Sequence, residues 1–207
     1  MTGTIRVATL EDVASILAIY APIVRDTAIS FELEPPTVQQ MRQRITETLR
    51  GWPWLVCDCG GAVVGYVYAG RHRARAAYQW SVDVSVYIQA QSRRTGIGRA
   101  LYTSLFGLLE LQGFRNCYAG ITLPNPASVG LHETLGFQPL GVYRHVGYKL
   151  GAWHDVGWWQ LALQTAPGPP EPPTAFAALQ QTSPTWDAAL AAGVPLLAAP
   201  EQPAEHR

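Results

Sequence analysis

The residues best suited to chemistry form one run, Ser92-Arg93-Arg94-Thr95-Gly96-Ile97-Gly98-Arg99-Ala100. It follows an apolar stretch, Val82 to Ile88, and precedes a helical repeat of apolar residues. Two glycines at such a junction let the backbone turn tightly and approach a ligand. The helix beyond begins with unpaired N–H groups and the positive end of its dipole. Together these cradle phosphate oxygens, and Arg93, Arg94 and Arg99 add full positive charge. Two familiar phosphate loops fail here. A P-loop needs Lys and then Ser or Thr after its last glycine, whereas Gly98 is followed by Arg99-Ala100. The dinucleotide fingerprint needs Gly or Ala at its sixth position, which is Leu101. What remains is Arg-Arg-x-Gly-x-Gly, with an ordinary turn ahead of a surface helix as the alternative.

Other groups are sparser. From Val82 the strand alternates, with Val82, Val84, Val86 and Ile88 on one face and Asp83, Ser85 and Tyr87 on the other. A lone acid such as Asp83 is by itself a solvated or paired carboxylate. Arg71, Arg73 and Arg75 make a basic loop before that strand, and arginine forks suit carboxylate or phosphinate. Two adjacent ligands, His154-Asp155, do not make a metal site; a structural hydrogen-bonded pair is expected. Cys57, Cys59 and Cys117 show no zinc spacing and read as free, buried thiols in a reducing compartment.

These groups need elements to hold them. Thr4 to Ala8 reads as a strand, and Thr9 caps a helix running to about Arg25. Thr27 to Glu32 reads as extended, and a second helix spans about Val38 to Leu49. Gly60-Gly61 joins two strands, Trp54 to Cys59 and Ala62 to Tyr68. Tyr78 to Ile88 is the next strand, and the helix after the glycine run extends to Gln112, where Gly113 ends it. Asn116 to Leu123 is a strand, Pro124-Asn125-Pro126 opens a short helix, and two final strands span about Gln138 to Tyr148 and Trp153 to Leu163. The mixture predicts an α/β (α+β) domain, with hairpins giving antiparallel pairs and the strand–helix–strand unit a parallel one.

Composition sets bounds. The 207 residues carry 15 basic and 15 acidic side chains, which argues against nucleic acid as the main partner. After Thr165 stand one arginine, four acids and nine of the sixteen prolines, so the body is slightly basic. That segment, 166–207, reads as a tail that is disordered or loosely docked, beyond a domain at 1–165. No signal peptide or apolar run long enough for a bilayer is present, so a cytoplasmic setting is expected.

The order of Pro53-Trp54-Leu55-Val56, Arg73-x-Arg75-x-Ala77-Tyr78, Ser85-Val86-Tyr87-Ile88, Arg94-Thr95-Gly96-Ile97-Gly98, Leu123-Pro124-Asn125, His132-Glu133-x-Leu135-Gly136-Phe137 and Trp153-His154-Asp155-Val156-Gly157 resembles the phosphinothricin N-acetyltransferase branch of the GNAT superfamily. The resemblance covers about residues 4 to 164. It implies a mixed, mostly antiparallel sheet, splayed at its centre around acetyl-CoA and flanked by helices. A bulge near Val86, Tyr87 and Ile88 would turn backbone toward the pantetheine. Arg93, Arg94, Thr95, Gly96, Ile97, Gly98 and Arg99 would hold the pyrophosphate, with Asn125 and Ser128 as further cofactor contacts; a turn residue is the alternative for Asn125. No metal is implied.

The resemblance also implies transfer of acetyl to a free amine, with no covalent enzyme nucleophile. Asp83 stands where the branch usually carries Glu and would act as general base, through a water because it is one methylene shorter. His132 stands where the branch carries His, as an acid for the thiolate or an organiser of water; a packed histidine is the alternative. Tyr102 and Tyr118 are read as core or pocket wall. Phe31, Arg73, Arg75 and Tyr78 are the substrate or dimer-pocket candidates. The implied acceptor is a small amino acid of the phosphinothricin, methionine sulfone or methionine sulfoximine type, and the implied assembly a homodimer. Another small amine, a peptide terminus, or a non-catalytic acyl-CoA-binding module are the alternatives.

Overall fold

The computed structural model describes residues 3–164 and 168–197. Seven strands form one sheet: β1 (Gly3–Val7), β2 (Trp54–Cys59), β3 (Ala62–Arg71), β4 (Ser81–Ile88), β5 (Asn116–Leu123), β6 (Gln138–Lys149) and β7 (Ala152–Ala162). Their order is β1-β2-β3-β4-β5-β7-β6. Every pair is antiparallel except β4–β5, the parallel pair expected around the glycine run.

Helices α1 (Val13–Asp26) and α2 (Val38–Gly51) cover one face. Each opens on a reciprocal cap: Thr9 with Asp12 ahead of α1 and Thr37 with Gln40 ahead of α2. Such a cap is worth about 1 kcal/mol. Their apolar stripes, including Ile16, Val24, Met41 and Ile45, close on Trp54, Val56 and Tyr66. Helix α3 (Ile97–Gln112) covers the other face with Leu101, Leu105, Leu108 and Leu109 fully buried. It ends at Gly113, φ 91°, a left-handed position glycine takes without penalty. Helix α4 (Pro126–Thr134) lies between β5 and β6.

Several expectations differ. Thr27 to Glu32 is not extended strand but a series of bends beside the end of β6, to which it makes no ladder. It is pinned instead by side chains: Lys149 Nζ, buried, donates to Val24 O and Ser30 O, and Tyr20 Oη lies 2.8 Å from Ser30 Oγ. The bulge expected near Val86, Tyr87 and Ile88 is absent, since β3 and β4 pair residue for residue from Gly65↔Ile88 to Arg71↔Val82. The hydrogen-bonded pair expected of His154 and Asp155 is also absent. Adjacent strand residues point to opposite faces, and His154 Nε2 bonds Lys149 O while Asp155 accepts from the His145 amide.

The largest difference is the segment after β7. The boundary at 165 and residues 198–207 lie outside the described residues. Over 168–197, however, the chain is not loosely docked. It forms α5 (Phe176–Thr182) and α6 (Trp186–Ala191), and Phe176, Leu179 and Trp186 are buried in the core shared with α3. Polar ties complete the seam: Ser104 Oγ donates to Leu190 O, Gly193 N to Ser104 Oγ, Trp80 Nε1 to Glu171 O and Gln112 Nε2 to Thr174 O. Prolines masked the few aromatics that dock the segment.

Of the three thiols, Cys57 and Cys117 are buried and Cys59 partly so, all free. Burial, with Cys59 and Asp58 beside it, pushes the Cys57 thiol up to about 12.

Candidate functional site

The parallel pair β4–β5 is hydrogen-bonded over only three rungs, Ser81↔Asn116, Val82↔Cys117 and Asp83↔Tyr118. Beyond Asp83 the strands part, and a cleft of about 60 Å³ opens between Val84–Tyr87 and Ala119–Thr122. The parting bares inner backbone of both strands, which is what the bulge had been expected to do. The floor of the cleft carries Tyr102 and His132, and its rim Ile29, Asn125 and Ser128.

The glycine run turns at the outer end of β4. Gly96 has φ 83° and heads α3 with no side-chain cap, and Arg94 is itself left-handed at φ 60°. The first amides of α3 are therefore free to meet an anion. Arg93, Arg94 and Arg99 are exposed around them, with Thr95 Oγ1 bonded to Ser92 O. Gly98 is buried: a Cβ there would stand 3.0 Å from Leu131 and 3.1 Å from Ile88. Ile97 packs into the core.

Asn125 caps α4, its Oδ1 accepting from Ser128 N at 3.2 Å. That leaves its amide nitrogen for the cleft. His132 is buried one turn on. Its Nδ1 lies 2.8 Å from Ser128 O, an atom that only accepts, so Nδ1 carries the proton and Nε2 accepts from Tyr102 Oη at 2.9 Å. Burial, only partly offset by the Ser128 carbonyl, holds His132 below the usual histidine range. Burial also drives the Tyr102 hydroxyl upward, so it keeps its proton.

Asp83 lies at the fork of the cleft, on the last paired rung. Burial raises its carboxyl, and His72 and Arg73 oppose the rise. His72 Nδ1 lies 2.6 Å from Asp83 Oδ1. The sequence reading passed over His72 between the arginines it singled out. The His72 ring also borders a cavity of about 350 Å³ with Arg73, Tyr118, Tyr143 and Trp158, and the Arg73 guanidinium sits 5.8 Å from the Trp158 ring. Gly120 brings this cavity against the cleft: a Cβ there would stand 3.3 Å from the Trp158 ring.

The remaining candidates divide. Arg73 borders that cavity and also a second hollow of about 410 Å³, where Arg71 and Arg75 sit with Trp52 and Thr174. Arg75 lines that second hollow and not the cavity that His72 borders. Tyr78, largely exposed, meets His72 edge-on at 6.1 Å. Phe31 lies over Gly147 and near His154 on the β6–β7 hairpin, while its neighbour Ile29 reaches the cleft. Among the described residues no group of His, Cys, Asp and Glu is placed to hold a metal.

The family described as an acetyltransferase (GNAT) domain matches residues 5–158. A phosphinothricin N-acetyltransferase of Streptomyces viridochromogenes is 42% identical over 168 residues, 81% of this chain and 91% of that protein. An L-methionine sulfoximine/L-methionine sulfone acetyltransferase of Pseudomonas aeruginosa is 36% identical over 166 residues, 79% of this chain and 96% of that protein. The crystal structure of a GNAT superfamily phosphinothricin acetyltransferase from Sinorhizobium meliloti in complex with acetyl-CoA is similar at a TM-score of 0.77 and 35% identity, covering 85% and 99% of the two chains.

Proposed function

The chain belongs to the GNAT acetyltransferase family and is an acetyl-CoA-dependent N-acetyltransferase, and from that premise we propose what each part of its site does. It moves acetyl to the amino group of a small amino-acid-like acceptor. The acceptor is of the phosphinothricin, methionine sulfone or methionine sulfoximine type. The observation that carries this reading is the parting of β4 and β5 just beyond Asp83, beside the glycine turn that heads α3.

Acetyl-CoA enters as a substrate. Its pyrophosphate meets the free amides at Gly96, Ile97 and Gly98 and the charges of Arg93, Arg94 and Arg99, with Thr95 and Ser128 at the margins. Its pantetheine lies along the bared backbone of Val86, Tyr87 and Ile88, with the Asn125 amide opposite. The acceptor sits beside Asp83, its anionic head toward Arg73, with Tyr78 as a wall; Phe31, over Gly147 on the β6–β7 hairpin, stands apart from it. Asp83 draws off the ammonium proton through a bridging water, the amine lone pair attacks the thioester carbonyl, the C–N bond forms and the C–S bond breaks. Tyr102, bonded to His132, serves the leaving thiolate. Arg75, set apart in the second hollow, is assigned to a contact with a second copy of the chain. The exposed apolar side chains Leu140, Val142, Tyr143, Tyr148 and Trp153 on β6 and β7 support a homodimer. No described helix is long and apolar enough to cross a membrane, and the enzyme is assigned to the cytoplasm.

The test is acetyl-CoA with a panel of amines, following free CoA thiol. Acceptors with a tetrahedral oxidised head are expected to lead. Tight acetyl-CoA binding with no transfer to any amine would overturn the reading in favour of a binding module.

A further inference from the structure

Resting on that reading, we propose that His72 is the positioning residue of the reaction: its Nδ1–H holds one carboxylate oxygen of Asp83 and leaves the other aimed at the acceptor amine.

The register of the sheet brings the two together. Gly70 is directly opposite Asp83 in the β3–β4 pair and offers it no side chain. The next residue on that face is two places on, at His72, a diagonal neighbour within reach of a long side chain. The imidazole arrives with Nδ1 2.6 Å from Asp83 Oδ1. A carboxylate only accepts, so Nδ1 carries the hydrogen. No other side chain among the described residues bonds Asp83, and its second oxygen has no protein partner.

The ring has one orientation available. It stacks on Tyr118 at 4.3 Å and 15°, and meets Tyr78 and Trp158 edge-on at 6.1 and 6.4 Å. Its side chain is 11% exposed whereas that of Asp83 is 39% exposed, so the carboxylate, not the imidazole, presents to the acceptor. The short Asp is thereby a fixed base rather than a swinging one, and misplacement by about 1 Å at such a group costs on the order of 10²-fold.

The charged and titratable groups that face the pair are Arg73 beyond the end of β3, Tyr68 on β3, Cys117 and Tyr118 on β5, and Tyr78 in the turn before β4. Of these, Arg73 acts with the His72 bond to keep the carboxylate ionised against burial. Loss of the His72 donor leaves burial less opposed, and the carboxylate then takes up its proton at higher pH.

The experiment is the pH dependence of kcat/KM for the full chain and three variants, with acetyl-CoA affinity and melting temperature measured alongside. His72→Phe keeps the stack on Tyr118 and removes the donor. Its kcat/KM is expected to fall about 10–100-fold near neutral pH, with the acid limb moved to higher pH and acetyl-CoA affinity unchanged. His72→Asn returns a donor near Nδ1 and is expected to move the limb back toward the parent. Asp83→Asn is expected to remove that limb and leave only the rise that follows the amine's own deprotonation at higher pH. If Asp83→Asn does so but His72→Phe leaves the parental limb in place, His72 is structural and the proposal falls while the function stands. If Asp83→Asn keeps the parental profile, Asp83 is not the base, and the proposal and that assignment fall together.

Discussion

The hydroxyl of Tyr102 donates to Nε2 of His132 at 2.9 Å across the floor of the cleft, and Nδ1 of the same ring donates to Ser128 O. His132 is thus neutral with both nitrogens engaged, and Tyr102 lines the cleft beside it. Tyr102→Phe is expected to lower kcat about 10–100-fold, a fraction of the usual acid–base contribution, while the KM for acetyl-CoA stays near the parental value. Steady-state thiol release measures both. A rise in KM with kcat unchanged would assign Tyr102 to binding alone.

Lys149 ties the bends after α1 to the end of β6 through Val24 O and Ser30 O. Those bends carry Ile29 to the cleft and Phe31 to the hairpin. Lys149→Met preserves the stem and leaves both carbonyls bare, at a cost of about 2–3 kcal/mol. Denaturant unfolding is expected to show that loss, and acceptor KM is expected to rise more than acetyl-CoA KM.

Trp186 on α6 and Phe176 on α5 pack ring to ring at 5.0 Å inside the shared core. Trp186→Ala is expected to cost about 3–5 kcal/mol, read as a drop in melting temperature. Ending the chain at 168 is expected to cost at least as much. A truncated chain as stable as the parent would show that the segment contributes nothing to the core.

Asp12 is buried, which alone would raise its carboxyl, but Arg6 and the amide and hydroxyl of Thr9 outweigh burial and hold it below the usual range. A carboxyl depressed in the folded state contributes stability above its unfolded pKa, about 3.9, and loses it as pH falls through the folded value. Asp12→Asn is therefore expected to cost about 1–2 kcal/mol at neutral pH, allowing for the partly exposed Arg6. The gap in melting temperature from the parent should close on acidification below about pH 4.

Local patterns carried most of the fold into the sequence. Gly60-Gly61 marked the β2–β3 hairpin, Thr9 and Thr37 stood at the two helix starts, and the leucines of α3 repeated at helical spacing. The glycine run was legible because turn chemistry is local; strand alternation put Asp83 on its face, but only the family resemblance gave it a role. His72 was not, because its meaning lies in the register of β3 against β4, and neither the diagonal to Asp83 nor the stack on Tyr118 leaves a trace in spacing. Ile29 was hidden for the same reason, and Phe31 beside it drew attention by its size. The tail misled by composition: nine prolines outweighed Phe176, Leu179 and Trp186, although three well-placed large side chains suffice to dock two short helices.

The parting of β4 and β5 also gives the protein two sheet edges turned inward. An edge on the outside of a molecule invites another chain to add itself; these edges instead face one another across the cleft that Ile29, Asn125, Ser128 and His132 border. Between the half-sheets β1-β2-β3-β4 and β5-β7-β6 the strands pair over three rungs, with Arg115 N and Asn116 N donating to Trp80 O just ahead of them. On the proposed reading, a pantetheine arm laid in the gap would complete the sheet as a borrowed strand and brace it, and slowed hydrogen exchange at the amides of Val84 to Tyr87 on adding acetyl-CoA is the measurement that checks it.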